Sequence, residues 1–118
     1  QAQADYEGLS GRRYSLSADM VSGKVSALIE ANGWKTATPF PVRNGQNEWL
    51  IEALVRTPVL GFRDAVVVRV TEEGEAAFVD MRSASGFGEA DLGANANRIR
   101  KFMKDLDAQI SLGSSANP

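Results

Sequence analysis

The sequence contains neither cysteine nor histidine. The absence of cysteine excludes disulfides, thiolate metal sites and thiol catalysis. The absence of histidine excludes Ser-His-Asp triads, imidazole metal ligands and histidine-based pH switches. Long apolar runs are also lacking, since stretches such as residues 65–68 are far shorter than the roughly 20 residues of a membrane helix. Most familiar catalytic arrangements are therefore excluded, and no membrane span is predicted.

Charge and composition indicate one globular domain. The 118 residues are 43% hydrophobic and 24% charged, with 13 Lys and Arg against 15 Asp and Glu. A net charge of −2 leaves no excess of positive charge, so nucleic acid is not a predicted partner. The acidic residues 72–75 fit a solvated turn better than a cation site, and we predict neither a metal nor a cofactor. The first residue is not Met, which suggests a fragment excised or processed from a longer protein.

Hydrophobic periodicity predicts an α+β fold. A helix is expected over residues 18–32, after the N-cap Ser17 and before Gly33, and a second over residues 91–110. Strands are expected over residues 13–16, 34–38, 48–56, 65–71 and 76–82. The order β-α-β-β-β-β-α predicts an antiparallel sheet of four or five strands with both helices on one face. We expect a flexible segment over residues 1–13, one domain over 14–110 and a tail over 111–118.

Side-chain alternation predicts two different sheet faces. Trp49, Val68 and Val79 belong to an entirely apolar set, which we expect beneath the helices. The opposite face mixes apolar and charged residues, including Leu50, Leu54, Arg69 and Phe78. Because exposed apolar area usually has a reason, this face is predicted to bind a protein partner or to form a homo-oligomer.

A charged set accompanies that face: Arg56, Asp64, Arg69, Asp80 and Arg82. If Thr71 pairs with Ala76 in the hairpin, Arg69 lies opposite Phe78 and diagonal to Asp80, within reach of an ion pair. The set is either a surface salt-bridge ladder or a charged partner-binding surface.

The predicted loop before the last helix is the second candidate site. Arg82, Ser83 and Ser85 lead towards Asp91, which shares one helical stripe with Asn95 and Arg98. One hypothesis is an anion or polar-ligand site formed by the hydroxyl groups, backbone N–H groups and guanidinium groups. The other is structural: Asp91 caps the helix, Arg98 binds loop carbonyls, and Arg82 and Arg98 are coupled through the loop. Gly86-Phe87-Gly88 lacks the third glycine and the parallel βαβ unit of a dinucleotide loop.

The densest motifs lie in the second half of the chain: Arg56-Thr57-Pro58, Gly61-Phe62-Arg63-Asp64, Val67-Val68-Arg69-Val70, Val79-Asp80-Met81-Arg82-Ser83-Ala84-Ser85, Asp91-Leu92-Gly93 and Arg98-Ile99-Arg100. With Trp34 upstream, they resemble the bacterial domain-of-unknown-function family 1499 (DUF1499) over residues 14–110. Ala65 and Gly86 depart from the family pattern, which usually has Asp and Arg there. Some family members attach the domain to membrane helices or an export signal. The resemblance therefore implies a bacterial envelope domain, periplasmic or membrane-anchored, with membrane contact only through segments outside this chain.

Two functional hypotheses follow. The first is a non-catalytic binding or assembly module of the bacterial cell envelope. The alternative is a histidine-free hydrolase using the Asp64/Asp80/Arg82 region, or a small-ligand (anion) binding domain using the Arg82/Arg98 loop–helix junction.

Overall fold

Two helices and six strands form in the computed structural model, which describes residues 11–36, 41–43, 45–56, 63–85 and 92–115. Their order is β1 (Arg12–Tyr14), α1 (Ala18–Ala31), β2 (Lys35–Thr36), β3 (Val42–Arg43), β4 (Glu48–Arg56), β5 (Arg63–Glu73), β6 (Ala76–Ser85) and α2 (Leu92–Ser115). All strand pairs are antiparallel, in the order β1-β6-β5-β4-β2, and β3 also pairs with β4. The predicted α+β class is confirmed.

Helix α1 begins at the predicted residue and ends one residue before the predicted end, with Asn32 as its C-cap. The Ser17 hydroxyl accepts a hydrogen bond from the Met20 N–H at 3.2 Å and so caps the first turn. At the other end Gly33 adopts a φ of 78°, a conformation that favours glycine. The residues Val21, Val25, Leu28 and Ile29 are buried on one side of the helix. Local capping and apolar spacing therefore agree in defining this element.

Helix α2 is longer than expected. It begins at Leu92 and runs to Ser115, whereas the prediction ended it at Ile110. No proline precedes Pro118 in this region, so backbone hydrogen bonding continues through the polar residues. Its buried side consists of apolar residues at helical spacing, namely Ile99, Phe102, Met103, Leu106 and Ile110. The Phe102 ring stacks on Trp34, with ring centroids 5.5 Å apart.

The hairpin of β5 and β6 corrects the predicted register. Thr71 pairs with Phe78, not with Ala76, and Arg69 is directly opposite Asp80. The reason is the turn: Gly74, with a φ of 65°, allows a two-residue connection between Glu73 and Ala76. The shorter turn extends β5 to Glu73 and shifts the pairing by two positions.

The remaining strand boundaries differ from the prediction at their ends. β1 begins at Arg12, inside the segment expected to be flexible, and a short strand, β3, adds a sixth member. β6 continues through Ser83 to Ser85, which were expected in a loop. No helix within the described ranges is long and apolar enough to cross a membrane.

Both helices cover the same side of the sheet, which we call the inner face. It is lined by the buried residues Ile51, Ala53, Val55, Val66, Val68, Val70, Ala77, Val79 and Met81, with Trp49 partly buried at its margin. The opposite side, the outer face, carries the other set of alternating residues, most of them exposed or half-buried. The predicted assignment of the two faces is therefore correct.

Candidate functional site

Four polar side chains meet beneath the first turns of α2, and we call them the Arg98 cluster: Asp64, Ser83, Asn95 and Arg98. Arg98 donates from Nη2 to Asp64 Oδ2 at 2.9 Å. Its Nη1 lies 2.9 Å from Ser83 Oγ and 2.8 Å from Asn95 Oδ1. The Ser83 hydroxyl donates in turn to Asn95 Oδ1 at 2.7 Å. One guanidinium group therefore joins two strands to the helix.

The strand and helix periods bring these residues together. Asp64 and Ser83 occupy inward positions on neighbouring strands, and their register makes them diagonal neighbours because Val66 is directly opposite Ser83. Asn95 and Arg98 are three residues apart on α2 and so lie on one helix face. Each pair follows from local geometry, but only the packing of α2 on the sheet joins the pairs.

The cluster is largely removed from water. Asn95 is 0% exposed and Ser83 2% exposed, while the side chains of Arg98 and Asp64 retain 15% and 9% exposure. The guanidinium and carboxylate charges compensate each other, as buried ions require. Both terminal nitrogens of Arg98 are already engaged by partners within the cluster. The arrangement ties α2 to the sheet and presents no uncompensated positive charge for an anion.

The structure separates the residues of the predicted loop–helix site. Ser83, Asn95 and Arg98 lie together on the inner face, but Arg82 is exposed on the outer face. The predicted coupling of Arg82 with Arg98 is wrong, because β6 extends to Ser85 and alternation turns adjacent residues to opposite faces. The Ser85 backbone pairs with Asp64; its side chain, and Asp91 with its predicted cap, lie outside the described residues.

The charged set is divided in the same way. Asp64 is buried on the inner face, whereas Asp80 is on the outer face, where its Oδ2 binds Arg69 Nε at 3.0 Å. Asp64 and Asp80 therefore cannot act on one substrate atom, and the acid–base arrangement proposed for a hydrolase does not form. Within the described ranges, no three acidic side chains converge as metal ligands.

The predicted ion pair between Arg69 and Asp80 forms on the outer face, where the two residues are directly opposite and not diagonal, and further ion pairs accompany it. Arg69 lies between Asp80 and the more distant Glu48, whose Oε2 is 3.8 Å from Nη1. Arg13 Nε donates to Glu73 Oε1 at 2.7 Å, and its guanidinium group lies 5.3 Å from the Phe78 ring centroid. This hydrogen bond lowers the pKa of Glu73 and raises the pKa of Arg13. Arg56 is exposed on the same face.

Sequence reasoning missed two contacts that the tertiary structure forms. The first is the ion pair between Asp64 and Arg98. The sequence prediction places Asp64 in a loop, although Asp64 is in phase with the inward residues Val66 and Val68, a signal that could have indicated its burial. Tyr14 donates its hydroxyl to Asp107 Oδ1 at 2.5 Å and so links β1 to α2. Burial, together with this hydrogen bond, raises the pKa of Tyr14 above its ordinary value.

Comparisons with known proteins bear on family and fold. The model of a family described as "Protein of unknown function (DUF1499)" matches residues 1–106. No curated protein matches the sequence. The solved structure of the vertebrate conserved region (VCR) of human METTL16 is similar in fold, with a TM-score of 0.54 and 12% identity. The match covers 82% of this chain and 97% of that one, and at this identity it concerns the fold alone.

Proposed function

This chain belongs to the DUF1499 family, described as proteins of unknown function, and on that premise we propose that it is a non-catalytic binding or assembly module. The proposed binding surface is the outer face of the sheet. It presents a protein partner with apolar side chains in the centre and charged side chains around them.

The observation that carries this proposal is the composition of the outer face. Leu50, Val67 and Phe78 are only half-buried, and Leu54 is 38% exposed. Val67 is a diagonal neighbour of both Leu50 and Leu54, and Phe78 lies on the other side of the Arg69–Asp80 ion pair. An apolar centre within a polar margin is typical of protein–protein interfaces.

The Arg98 cluster supports a non-catalytic role. Its hydroxyl, amide, carboxylate and guanidinium groups are bound to one another. Ser83 has no general base among these contacts, since its oxygen accepts from Arg98 and its hydroxyl donates to the Asn95 amide oxygen. These residues stabilise the position of α2, and the outer face is left as the surface for recognition.

The experiment compares captured proteins between matched surface variants. The chain is immobilised and exposed to an extract of cells that produce the full protein. Leu54→Glu places a charge among the apolar residues of the outer face, whereas Met20→Glu places the same charge at an exposed position on α1. We expect Leu54→Glu to lose a protein that the wild type and Met20→Glu both retain, with thermal melts confirming that both variants fold. Equal capture by the two variants would contradict the proposal.

We further propose that the module acts in the bacterial cell envelope, periplasmic or membrane-anchored in the full protein. The support is the motif resemblance, since some DUF1499 proteins attach the domain to membrane helices or an export signal. Fractionation of producing cells, with protease added to intact spheroplasts, tests this location. Recovery of the full protein only in the protease-resistant soluble fraction would contradict it.

A further inference from the structure

The outer face carries opposite charge at its two ends. The hairpin end contains Glu48, Glu73 and Asp80 with Arg13 and Arg69, and Glu75 is exposed in the adjoining turn, so four carboxylates accompany two guanidinium groups. The basic end contains Lys35, Arg56 and Arg82 with Glu52, so three cations accompany one carboxylate. Each end therefore has an excess of two charges, negative at the hairpin end and positive at the basic end.

The positive excess is available to a partner. Ion pairs among the residues that the structure describes do not include Lys35, Arg56 or Arg82, all of which are exposed. The register also makes Lys35 a diagonal neighbour of Arg56, because Lys35 pairs with Leu54, and this concentrates positive charge where β4 ends. Like charges on neighbouring strands are unfavourable unless negative charge lies nearby. The basic end thus favours an acidic surface.

We propose that the partner of the outer face is a second copy of this chain, docked face to face by two-fold symmetry. This inference rests on the proposed function and names its partner. A surface that is positive at one end and negative at the other complements itself when one copy is reversed along the strands. Two-fold contacts of this kind are the commonest in homo-oligomers.

The register shows which groups such a dimer brings together. The two-fold axis runs parallel to the sheet and perpendicular to its strands, level with the pair of Val68 and Met81. This axis sets each long strand antiparallel over the same strand of the second copy. Asp80 then faces the second copy's Arg82, and Glu48 lies over its Leu54, beside Lys35. The acidic hairpin end covers the end that carries Arg56. Stacked sheets cross at about 30°, so these are neighbouring positions and not fixed atomic contacts.

The available area is sufficient for a weak dimer. Six rows of outward residues, spaced by about 6.6 Å, run along the three long strands β4, β5 and β6, each about 4.8 Å wide, and with the short strands at the margins they define a face of roughly 600 Å². Two such faces bury about 1,200 Å², the lower limit of stable protein interfaces. We therefore expect a reversible dimer that depends on concentration and is weakened by salt, because charge complementarity contributes to it.

Charge reversal tests the arrangement by sedimentation equilibrium from micromolar to submillimolar concentration. Lys35→Glu with Arg56→Glu reverses the basic end, and Glu73→Lys with Glu75→Lys reverses the hairpin end. Each double variant should weaken dimerisation by about tenfold or more, because two attractive regions become repulsive. Mixing the two double variants should restore a one-to-one heterodimer, since each reversed end then meets its complement. Lys101→Glu with Lys104→Glu, on the exposed side of α2, is the matched control and should leave dimerisation unchanged.

The outcomes separate this inference from the proposed function. A wild-type chain that stays monomeric throughout, or a mixture that forms no heterodimer, overturns the second copy as the partner. If capture of another protein is then still lost in Leu54→Glu, the outer face remains a binding surface and the proposed function stands. If capture is also unaffected by Leu54→Glu, both proposals fail. A dimer that Leu54→Glu and both charge reversals weaken supports both.

Discussion

Removal of the Arg98 charge should destabilise the fold, and simultaneous removal of Asp64 should reverse most of the loss. Arg98→Met keeps the aliphatic stem but leaves a carboxylate that is only 9% exposed without its partner. Breaking a buried ion pair costs about 3–5 kcal/mol. Because the Arg98 side chain retains 15% exposure, water reaches part of the site and the lower value applies. We therefore expect the free energy of unfolding to fall by about 3 kcal/mol.

The double variant isolates the interaction from the loss of side-chain volume. In Asp64→Leu with Arg98→Met, no unpaired charge remains, and Ser83 and Asn95 can keep their mutual hydrogen bond. Apolar replacement of a buried ion pair is often neutral or stabilising, so the double variant should be more stable than either single variant. For the double variant to be more stable than either single variant, the coupling energy from the cycle must exceed the loss in Arg98→Met, so we expect it to be above about 3 kcal/mol.

Urea denaturation followed by circular dichroism measures all four proteins of this cycle. The matched control is Arg100→Met on the same helix, because Arg100 is exposed and bonds only to the exposed Asn97 within the described part of the chain. This control should change stability by less than about 0.5 kcal/mol. A coupling energy near zero, or an Arg98→Met variant as stable as Arg100→Met, would refute the assignment of the cluster as a structural tie.

Three further predictions concern single positions. Because the pKa of Tyr14 is raised in the folded chain, the unfolded chain loses its tyrosine proton first, and stability should decline as pH rises above about 10. Tyr14→Phe should remove this contribution to stability. The difference in absorbance between the wild type and Tyr14→Phe, followed as pH rises, reports the ionisation of the Tyr14 hydroxyl. Its midpoint should lie above the ordinary tyrosine pKa, and a midpoint near the ordinary pKa would contradict the prediction. Gly74→Val should destabilise the hairpin by about 1–2 kcal/mol because φ is 65°, whereas Gly74→Asn should be better tolerated in urea melts. Ser17→Ala should cost about 1 kcal/mol through loss of the cap on Met20, and an unchanged melting temperature would count against this cap.

Local sequence determined most of the fold. The three- and four-residue spacing of Val21, Val25 and Leu28 defines a helix with one apolar side, and Ser17 and Gly33 set its ends. The alternation along β4, β5 and β6 separated the inner from the outer face correctly. These features could be predicted because they depend on periods of a few residues, over which backbone geometry alone relates side chains.

The register and the strand ends depended on turn geometry. Nothing in the composition of residues 72–75 distinguishes a two-residue turn from a four-residue one, yet the choice moves Asp80 from a diagonal to a direct position opposite Arg69. A separate uncertainty, about where β6 ends, placed Ser83 in a loop and Arg82 beside Arg98. When a strand is longer by a few residues, the residues at its end join the alternation of inward and outward side chains. This alternation then determines which face of the sheet each side chain occupies.

The candidate sites were decided by tertiary packing. Asp64 and Arg98 are 34 positions apart, and no local rule relates a strand residue to one on a distant helix. They meet because the apolar stripe of α2 is buried against the inner face, which brings Asn95 and Arg98 over Asp64 and Ser83. A guanidinium group buried there is stable only if its charge is compensated. Ser83, Asn95 and Arg98, which the sequence predicted as part of a ligand site, therefore bind one another and Asp64. The charge at the two ends of the outer face likewise arises from five separate strands, and only their alignment in one sheet collects it.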